Sequence, residues 1–320
     1  MTPPLWISER DVQISLPEAI DLLREALRRE AAGRARNMEK THLRFAGGDL
    51  HAIGAAFEDT RVVGVKSWAH TPKGATPIEL LWDAETGELL AVIEAFAMGQ
   101  LRTAAMAGLA TDLLAAPDID ALAICGTGKQ ALAQVAAVQA VRPIRRVRIY
   151  GRDESRRASF AARMERELGL ETEAFADPRA AVAGAPVITL ITRATTPFLT
   201  ADMPVRGAHI NAMGAITPER REFHPELLGR CAVIAVDSVG QARTLAAELV
   251  GASGPPPLRP LADLVDAGGG RPPGADLTLF KSLGVGLADL ALAEAMYRRA
   301  QTAKLGRTLA RPAPEPLVFA

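Results

Sequence analysis

Gly126-Thr-Gly-Lys-Gln-Ala131 follows the apolar run Ala121–Cys125 and precedes the small-residue run Leu132–Val141. Strand, Gly-x-Gly-x-x-Ala turn and helix, in that order, is the context a dinucleotide fingerprint requires. Gly126 permits the tight turn, Gly128 lets a pyrophosphate approach the backbone, and Ala131 lets the helix lie close on its strand. The phosphates would meet free N–H groups and the positive end of the helix dipole. Taken alone, the same residues also suit an ordinary strand-to-helix turn.

Arg146–Tyr150 alternates like a half-buried strand and stops at Gly151-Arg152-Asp153. A Rossmann fold keeps its ribose-contacting residue there: an acid favours NAD, and an arginine accommodates a 2′-phosphate. Arg152 comes first, with Arg156 and Arg157 behind it, so the pattern leans to NADPH over NADH. Asp153 equally reads as the cap of the next helix, the arginines being its solvated first turn.

Two cations outside this segment suit an anionic substrate. Lys66 ends the apolar run Val62-Val-Gly-Val. At the surface it would snorkel; beside a nicotinamide it would bind a carboxylate or donate a proton, its pKa lowered by burial and neighbouring cations. Arg102, among the small residues of Leu101-Arg-Thr103-Ala-Ala105, is either a solvated helix residue or a fork for a carboxylate or phosphate.

The elements that must position these groups follow from periodicity. Ser15-Leu-Pro-Glu18 is a capping box, with Ile20, Leu23 and Leu27 on one face of a helix running up to Gly33. Residues 40–98 read as strands, with Ala84-Glu-Thr-Gly87 turning a hairpin between Ile78–Asp83 and Glu88–Glu94. Gly99–Ala115 reads as a helix of small residues broken at Pro117-Asp118. Strand-like runs then recur at Ala121–Cys125, Arg146–Tyr150, Pro186–Ile191, Ala208–Met213, Ala232–Val236 and Leu277–Phe280, with helical patterns such as Ser155–Leu168 and Arg179–Ala183 between them. Alternation of this kind predicts a parallel sheet covered by helices on both faces. Gly251–Pro257 and Gly268–Gly274 read as loops. A last helix, Leu287–Ala300, is apolar over a broad arc interrupted by Asp289 and Glu294, and suits a return to the first domain. The expected architecture is α/β: a domain of mixed α+β structure over 1–116, joined by 287–320, and a Rossmann-type parallel-sheet domain over 117–286.

Composition narrows the partners. Basic and acidic side chains number 37 each, so net charge is zero and no nucleic-acid or polybasic membrane footprint is expected. No window approaches the roughly 18 apolar residues of a membrane span. The N-terminus lacks the blocks of a signal peptide. Cys125 and Cys231 adjoin apolar runs and read as buried, inert thiols of a cytoplasmic protein. The five histidines show no ligand spacing, so no metal is assigned.

Across nearly its whole length the chain resembles the ornithine cyclodeaminase/μ-crystallin family. The resemblance runs through Gly64-Val-Lys66, Leu81-Trp-Asp-Ala-Glu-Thr-Gly87, Leu101-Arg-Thr-Ala-Ala105 and Gly126-Thr-Gly-Lys-Gln-Ala131. It continues through Gly207-Ala-His-Ile-Asn-Ala-Met-Gly-Ala215, Arg221-Glu-Phe-His-Pro-Glu-Leu-Leu228, Val236-Asp-Ser238 and Phe280-Lys-Ser-Leu-Gly284. It implies a homodimer, each subunit holding a Rossmann NAD(P)-binding domain (117–286) and a substrate-binding and dimerisation domain (1–116 with 287–320), with NAD(P) between them. Lys66 and Arg102 match the family residues that bind the substrate carboxylate. An upstream family arginine is replaced by Lys40, or its part passes to Arg44; lysine lacks the bidentate fork. Cofactor contacts would fall on Arg102, Thr103, Gly126, Gly128, Lys129, Gln130, Arg152, Asp153, Thr192, Asn211 and Met213, with Gly284 and Val285 closing over the cofactor.

One departure separates the activities. Family cyclodeaminases resemble one another in an aspartate that exchanges protons during ring closure, and this chain carries Ile216 at that place. Isoleucine cannot do so, and reductase-like members also lack the aspartate. Asp237, at a strand end, suits a structural or loop-capping role. The reading is an NAD(P)H-dependent reductase of a C=N bond alpha to a carboxylate, on a cyclic ketimine or imino acid, reversible as amino-acid oxidation, with Lys66 or a bound water protonating the nitrogen. Its rivals are a cyclodeaminase-type lyase with bound NAD, converting ornithine to proline and ammonia, and a non-catalytic nucleotide-binding protein.

Overall fold

A computed structural model describes residues 3–311 and 317 of the 320-residue chain. The capping box forms at Ser15: its Oγ accepts from the Glu18 N–H, and the Glu18 carboxylate accepts from the Ser15 N–H, both at 3.4 Å. The helix it opens, Leu16–Ala31, buries Ile20, Leu23 and Leu27 and stops before Gly33, whose φ of +69° ends the helical path.

Among the described residues the first sheet has nine strands. Its centre is the antiparallel meander Gly48–Phe57, Val62–Thr71, Ile78–Asp83 and Leu89–Glu94. Lys66 stands opposite Ile53 on one side and Glu79 on the other. Residues directly opposed across strands share a face, so Lys66 and Glu79 project the same way. The hairpin turn at residues 84–87 forms as its sequence predicts: the Asp83 carboxylate accepts from the Glu85 and Thr86 amides, and Gly87 takes a φ of +71°.

Among the described residues the second sheet has eight strands, all parallel. Glu171–Phe175, Arg146–Tyr150, Ala121–Cys125, Val187–Leu190, His209–Ala212, Leu277–Lys281, Cys231–Val236 and Leu258–Pro260 lie in that order. The order reverses between Ala121–Cys125 and Val187–Leu190, and ligands of such sheets bind in the crevice at that reversal. Glu171–Phe175 was not anticipated: it is an edge strand whose sequence Glu-Thr-Glu-Ala-Phe has no buried face to impose alternation.

Phe96–Leu114, the expected small-residue helix, begins three residues early and joins the two sheets. Arg142 closes its C-terminal end, donating to the carbonyls of Thr111, Asp112, Ala115 and Ala116. The last helix, Gly286–Ala303, packs on the first sheet, as its apolar arc suggested, and Arg307–Thr308 pairs with Leu5–Ile7. Helix and sheet touch backbone to backbone: a Cβ on Gly286 would stand 2.1 Å from the Gly54 carbonyl oxygen. Residues 312–316 and 318–320 of the expected returning segment lie outside the described residues.

Candidate active site

Three elements bring charge together under the first sheet. Lys66 Nζ, from the strand Val62–Thr71, donates to Asp289 Oδ1, from the returning helix. Arg102 Nε, from Phe96–Leu114, donates to the same oxygen at 3.2 Å. Lys66 is 4% exposed, Asp289 0% and Glu79 1%. Among the described residues, Glu79 Oε2 and Asp289 Oδ2 have no hydrogen-bond partner. Buried carboxylate oxygens without partners are costly, and in a cleft they mark a place where protons or ligands go.

Burial draws the Lys66 pKa down, Asp289 draws it back up, and Arg102 lowers it again. Burial pushes Glu79 well above the carboxylate range; repulsion from Asp289 adds to this, while Lys66 and Arg102 oppose it. Lys40 is half-buried and feels Arg102 and Lys66, and its pKa is lowered first by burial and then by Arg102. Arg44 lies apart: its side chain is 72% exposed and pairs with Asp49 and Glu219. Of the two expected clamp completions, Lys40 feels the charges of Arg102 and Lys66, whereas Arg44 is engaged at the surface. Trp68 stands on the same face, its ring centroid 5.3 Å from Lys66 Nζ, with His51 stacked on it at 4.8 Å.

The loop before the returning helix closes this cluster. Asp237 accepts from the amides of Leu283 and Gly284 and from the Ser282 hydroxyl at 2.7–2.9 Å, the loop-capping part its strand-end position suggested. Gly284, φ +85°, lies against Arg102: a Cβ there would be 3.1 Å from Nη1. Val285 is buried at the start of the helix, and Thr103 donates its hydroxyl back to the Gly99 carbonyl.

At the reversal of the second sheet lies a cavity of about 750 Å³, open to solvent. Gly126 and Thr127 line it, with Gly151, Arg152, Asp153 and Arg156 on one side and Thr192–Phe198 on the other. Gly126 has φ +123°, and a Cβ on it would meet the Ile191 carbonyl oxygen at 2.5 Å. The following helix, Ala131–Val141, has no side-chain cap: Gln130 precedes it half-buried and makes no capping bond, and the Ala131 N–H donates to the Gly128 carbonyl at 3.0 Å, which leaves the next amides of the first turn to face an anion. Gly128 and Lys129 are exposed before it. A bare backbone turn, uncapped amides and cationic side chains fit a dinucleotide.

Asp153 caps the helix Glu154–Leu168, accepting from the Arg156 amide at 2.8 Å, and also lines the cavity. The arginines behind it divide. Arg156 lines the cavity, whereas Arg157 is buried and donates to the Gly151 carbonyl, which corrects its reading as a solvated residue. Thr192 spends both its N–H and its hydroxyl on Glu222 Oε1, whose other oxygen takes the Gly214 and Ala215 amides. Asn211 is fully buried, its amide donating to Thr111 and its oxygen meeting His209 at 3.1 Å, and Met213 is buried in the core. These two side chains brace the sheet under the cleft. Cys125 is buried and Cys231 half-buried; burial raises both thiols, Cys231 to about 12. Ile216 packs on the second sheet's core.

Glu79, Asp289 and Glu222 were not singled out from sequence. Asp289 carried a signal, a charge inside an apolar helical arc. Glu79 carried none until the strand register placed it opposite Lys66.

A family model described as Ornithine cyclodeaminase/mu-crystallin family matches residues 6–304. A Delta(1)-pyrroline-2-carboxylate reductase of Bacillus cereus is 28% identical over 312 residues, covering 92% of this chain and 96% of the relative. The solved structure of Thermococcus litoralis Delta(1)-pyrroline-2-carboxylate reductase with NADH and L-proline superposes with a TM-score of 0.88 at 26% identity, over 95% of this chain and 100% of that one. An archaeal alanine dehydrogenase dimer with bound NAD gives a TM-score of 0.88 at 27% identity, over 97% and 99% of the two chains. The motifs, the two-sheet architecture and these matches agree: the chain belongs to the ornithine cyclodeaminase/mu-crystallin family.

Proposed function

We propose that this protein is an NAD(P)H-dependent reductase of a C=N bond alpha to a carboxylate, taking a cyclic ketimine such as a pyrroline- or piperideine-2-carboxylate, or an imine of a 2-oxo acid. The observation that carries the reading is the buried Lys66–Asp289–Arg102 cluster, with Gly284, from the loop that leaves the second sheet, lying against Arg102. Relatives acting on pyrroline-2-carboxylate support the substrate class, and neighbours bound to NADH and NAD support a nicotinamide. Ile216, apolar and packed on the core, offers no proton for a cyclodeaminase step.

Residues 1–116 with the C-terminal segment form the substrate lobe, and 117–286 the nucleotide lobe. Arg102 and Lys40 take the substrate carboxylate, with Arg44 at the rim. Gly126, Gly128, Lys129, Gln130 and the helix behind them take the pyrophosphate. Arg152 and Arg156 beside the cavity favour NADPH, and Gly284 and Val285 cover the nicotinamide end. The bound nicotinamide supplies the hydride. Lys66 Nζ gives its proton to the imine nitrogen, and Asp289 holds that ammonium in place and stabilises its charge. Burial of the cluster excludes water and strengthens each of these interactions.

A homodimer in the reducing cytosol completes the reading. Val63 and Val65 alternate with Lys66 and so point to the opposite face of the first sheet. With Met38, Ala56 and Trp82 they line an apolar groove there, a surface suited to a partner subunit.

The test is oxidation of NADPH and NADH, followed by absorbance, with 1-pyrroline-2-carboxylate, 1-piperideine-2-carboxylate and 2-oxo acids plus ammonia. Turnover of a cyclic imino acid is expected, with Lys66→Ala lowering kcat/KM by about 100-fold or more. A folded wild-type protein that binds a nicotinamide nucleotide yet reduces none of these removes the proposal.

A further inference from the structure

We propose that Glu79 is a positioning residue that returns a proton to Lys66 across the strand pair they share. The role rests on the reductase reading above, because Lys66 must first give a proton away. The geometry is particular to this pair of strands. Lys66 and Glu79 are directly opposed in register and project from one face. Opposed Cα atoms of antiparallel strands lie about 4.5–5.5 Å apart, and the long lysine chain spans such a gap. Both side chains are buried, and among the described residues Glu79 Oε2 has no hydrogen-bond partner. Gly64, two residues before Lys66 on the same face, makes the room: a Cβ there would stand 2.9 Å from Glu79 Oε1. Leu81 and Leu290, both buried, close round the same spot.

The charges facing Glu79 come from three elements: Lys66 on the neighbouring strand, Arg102 on Phe96–Leu114 and Asp289 on the returning helix. Asp289 Oδ1 already serves both cations. An ammonium has three N–H donors, so Lys66 can hold Asp289 with one and still exchange another. Burial and the Asp289 charge favour the protonated form of Glu79, against the pull of Lys66 and Arg102.

The step balances. Lys66 Nζ–H breaks as N–H forms on the imine nitrogen; a reduced nicotinamide, when bound, would supply the hydride for the carbon. Glu79 O–H then breaks as Nζ–H reforms, leaving an ammonium–carboxylate pair in place of a neutral amine beside a neutral acid. Water entering on product release restores the Glu79 proton.

The experiment has two parts, one independent of catalysis. Infrared difference spectra of the nucleotide-free full-length protein should show the carbonyl stretch of a buried, protonated carboxylic acid. Glu79→Gln should abolish it and Glu79→Asp should retain it, shifted. In steady-state assays with 1-pyrroline-2-carboxylate, Glu79→Gln should lower kcat about 10- to 100-fold with KM little changed, and should flatten the alkaline limb of the kcat–pH profile. Glu79→Asp should recover most of kcat. Loss of the band in neither variant, a Gln variant with wild-type kcat and pH profile, or an Asp variant as impaired as Gln overturns the proposal. Wild-type protein that reduces no imino acid overturns the reductase reading instead, and this role with it, even if the acid band is present.

Discussion

At the scale of single residues the site turns on Asp289. One oxygen of this carboxylate holds both Lys66 and Arg102 while the residue is fully buried. Removing one partner of a buried ion cluster leaves uncompensated charge, which costs far more than the pair was worth. Asp289→Asn keeps shape and volume but removes the charge, and is expected to lower stability by about 3–5 kcal/mol in urea titrations, with substrate reduction falling alongside. Variants retaining wild-type midpoints would show that water reaches the two cations. Lys66 and Arg102 were legible because each broke an apolar or small-residue context next to a recognisable motif. Glu79 was not: inside Ile78-Glu-Leu-Leu-Trp it looks like the polar position of any half-buried strand. Only pairing with Val62–Thr71 turns that position inward, and no local pattern reports a strand's partner.

At the scale of elements, a short polar bridge ties three pieces of chain. Glu30, near the end of the first helix, accepts from the Asn37 amide at 2.8 Å, and the Asn37 oxygen accepts from Leu287 N–H at 2.9 Å, at the start of the returning helix. Burial raises the Glu30 pKa from 4.5 to about 7, against the pull of Asn37. A folded pKa above the unfolded one means the stabilisation is complete below pH 4.5 and is lost as pH rises through about 7. The expected outcome is a wild-type melting temperature that falls between pH 5 and 8 more than that of Glu30→Gln, measured by calorimetry at matched ionic strength. Parallel curves for the two proteins would refute the assignment. The elements themselves were largely readable, since capping box, hairpin turn and βα alternation are local patterns. The edge strand Glu171–Phe175 escaped because an unburied strand has no apolar period to display.

At the scale of the molecule, the two sheets are joined by Phe96–Leu114 and by the chain's return through Gly286–Ala303. With Leu43, Phe45 and Leu50 exposed on the hairpin of Thr41–Phe45 and Gly48–Phe57, the protein is expected to sediment at twice its 33.9 kDa. Sedimentation equilibrium at micromolar concentration checks this, and a monomer at all concentrations would count against the assembly. The return of the chain was suggested by the apolar arc of its helix, but the backbone contact of Gly286 on Gly54 was not, because close approach of two glycines has no signature along a single segment.

The Lys66–Asp289 pair joins residues 223 positions apart, and that separation has a meaning on the ribosome. At about 5–20 residues per second, the lysine emerges roughly 10–45 s before its carboxylate exists. A nascent chain thus carries an unneutralised cation on a strand with no helix to cover it, and it cannot act on any substrate in that interval. A chain that stops before Gly286–Ala303 lacks Asp289 and leaves bare the face of the first sheet that this helix covers, so the charge cluster assembles only after that helix has been made.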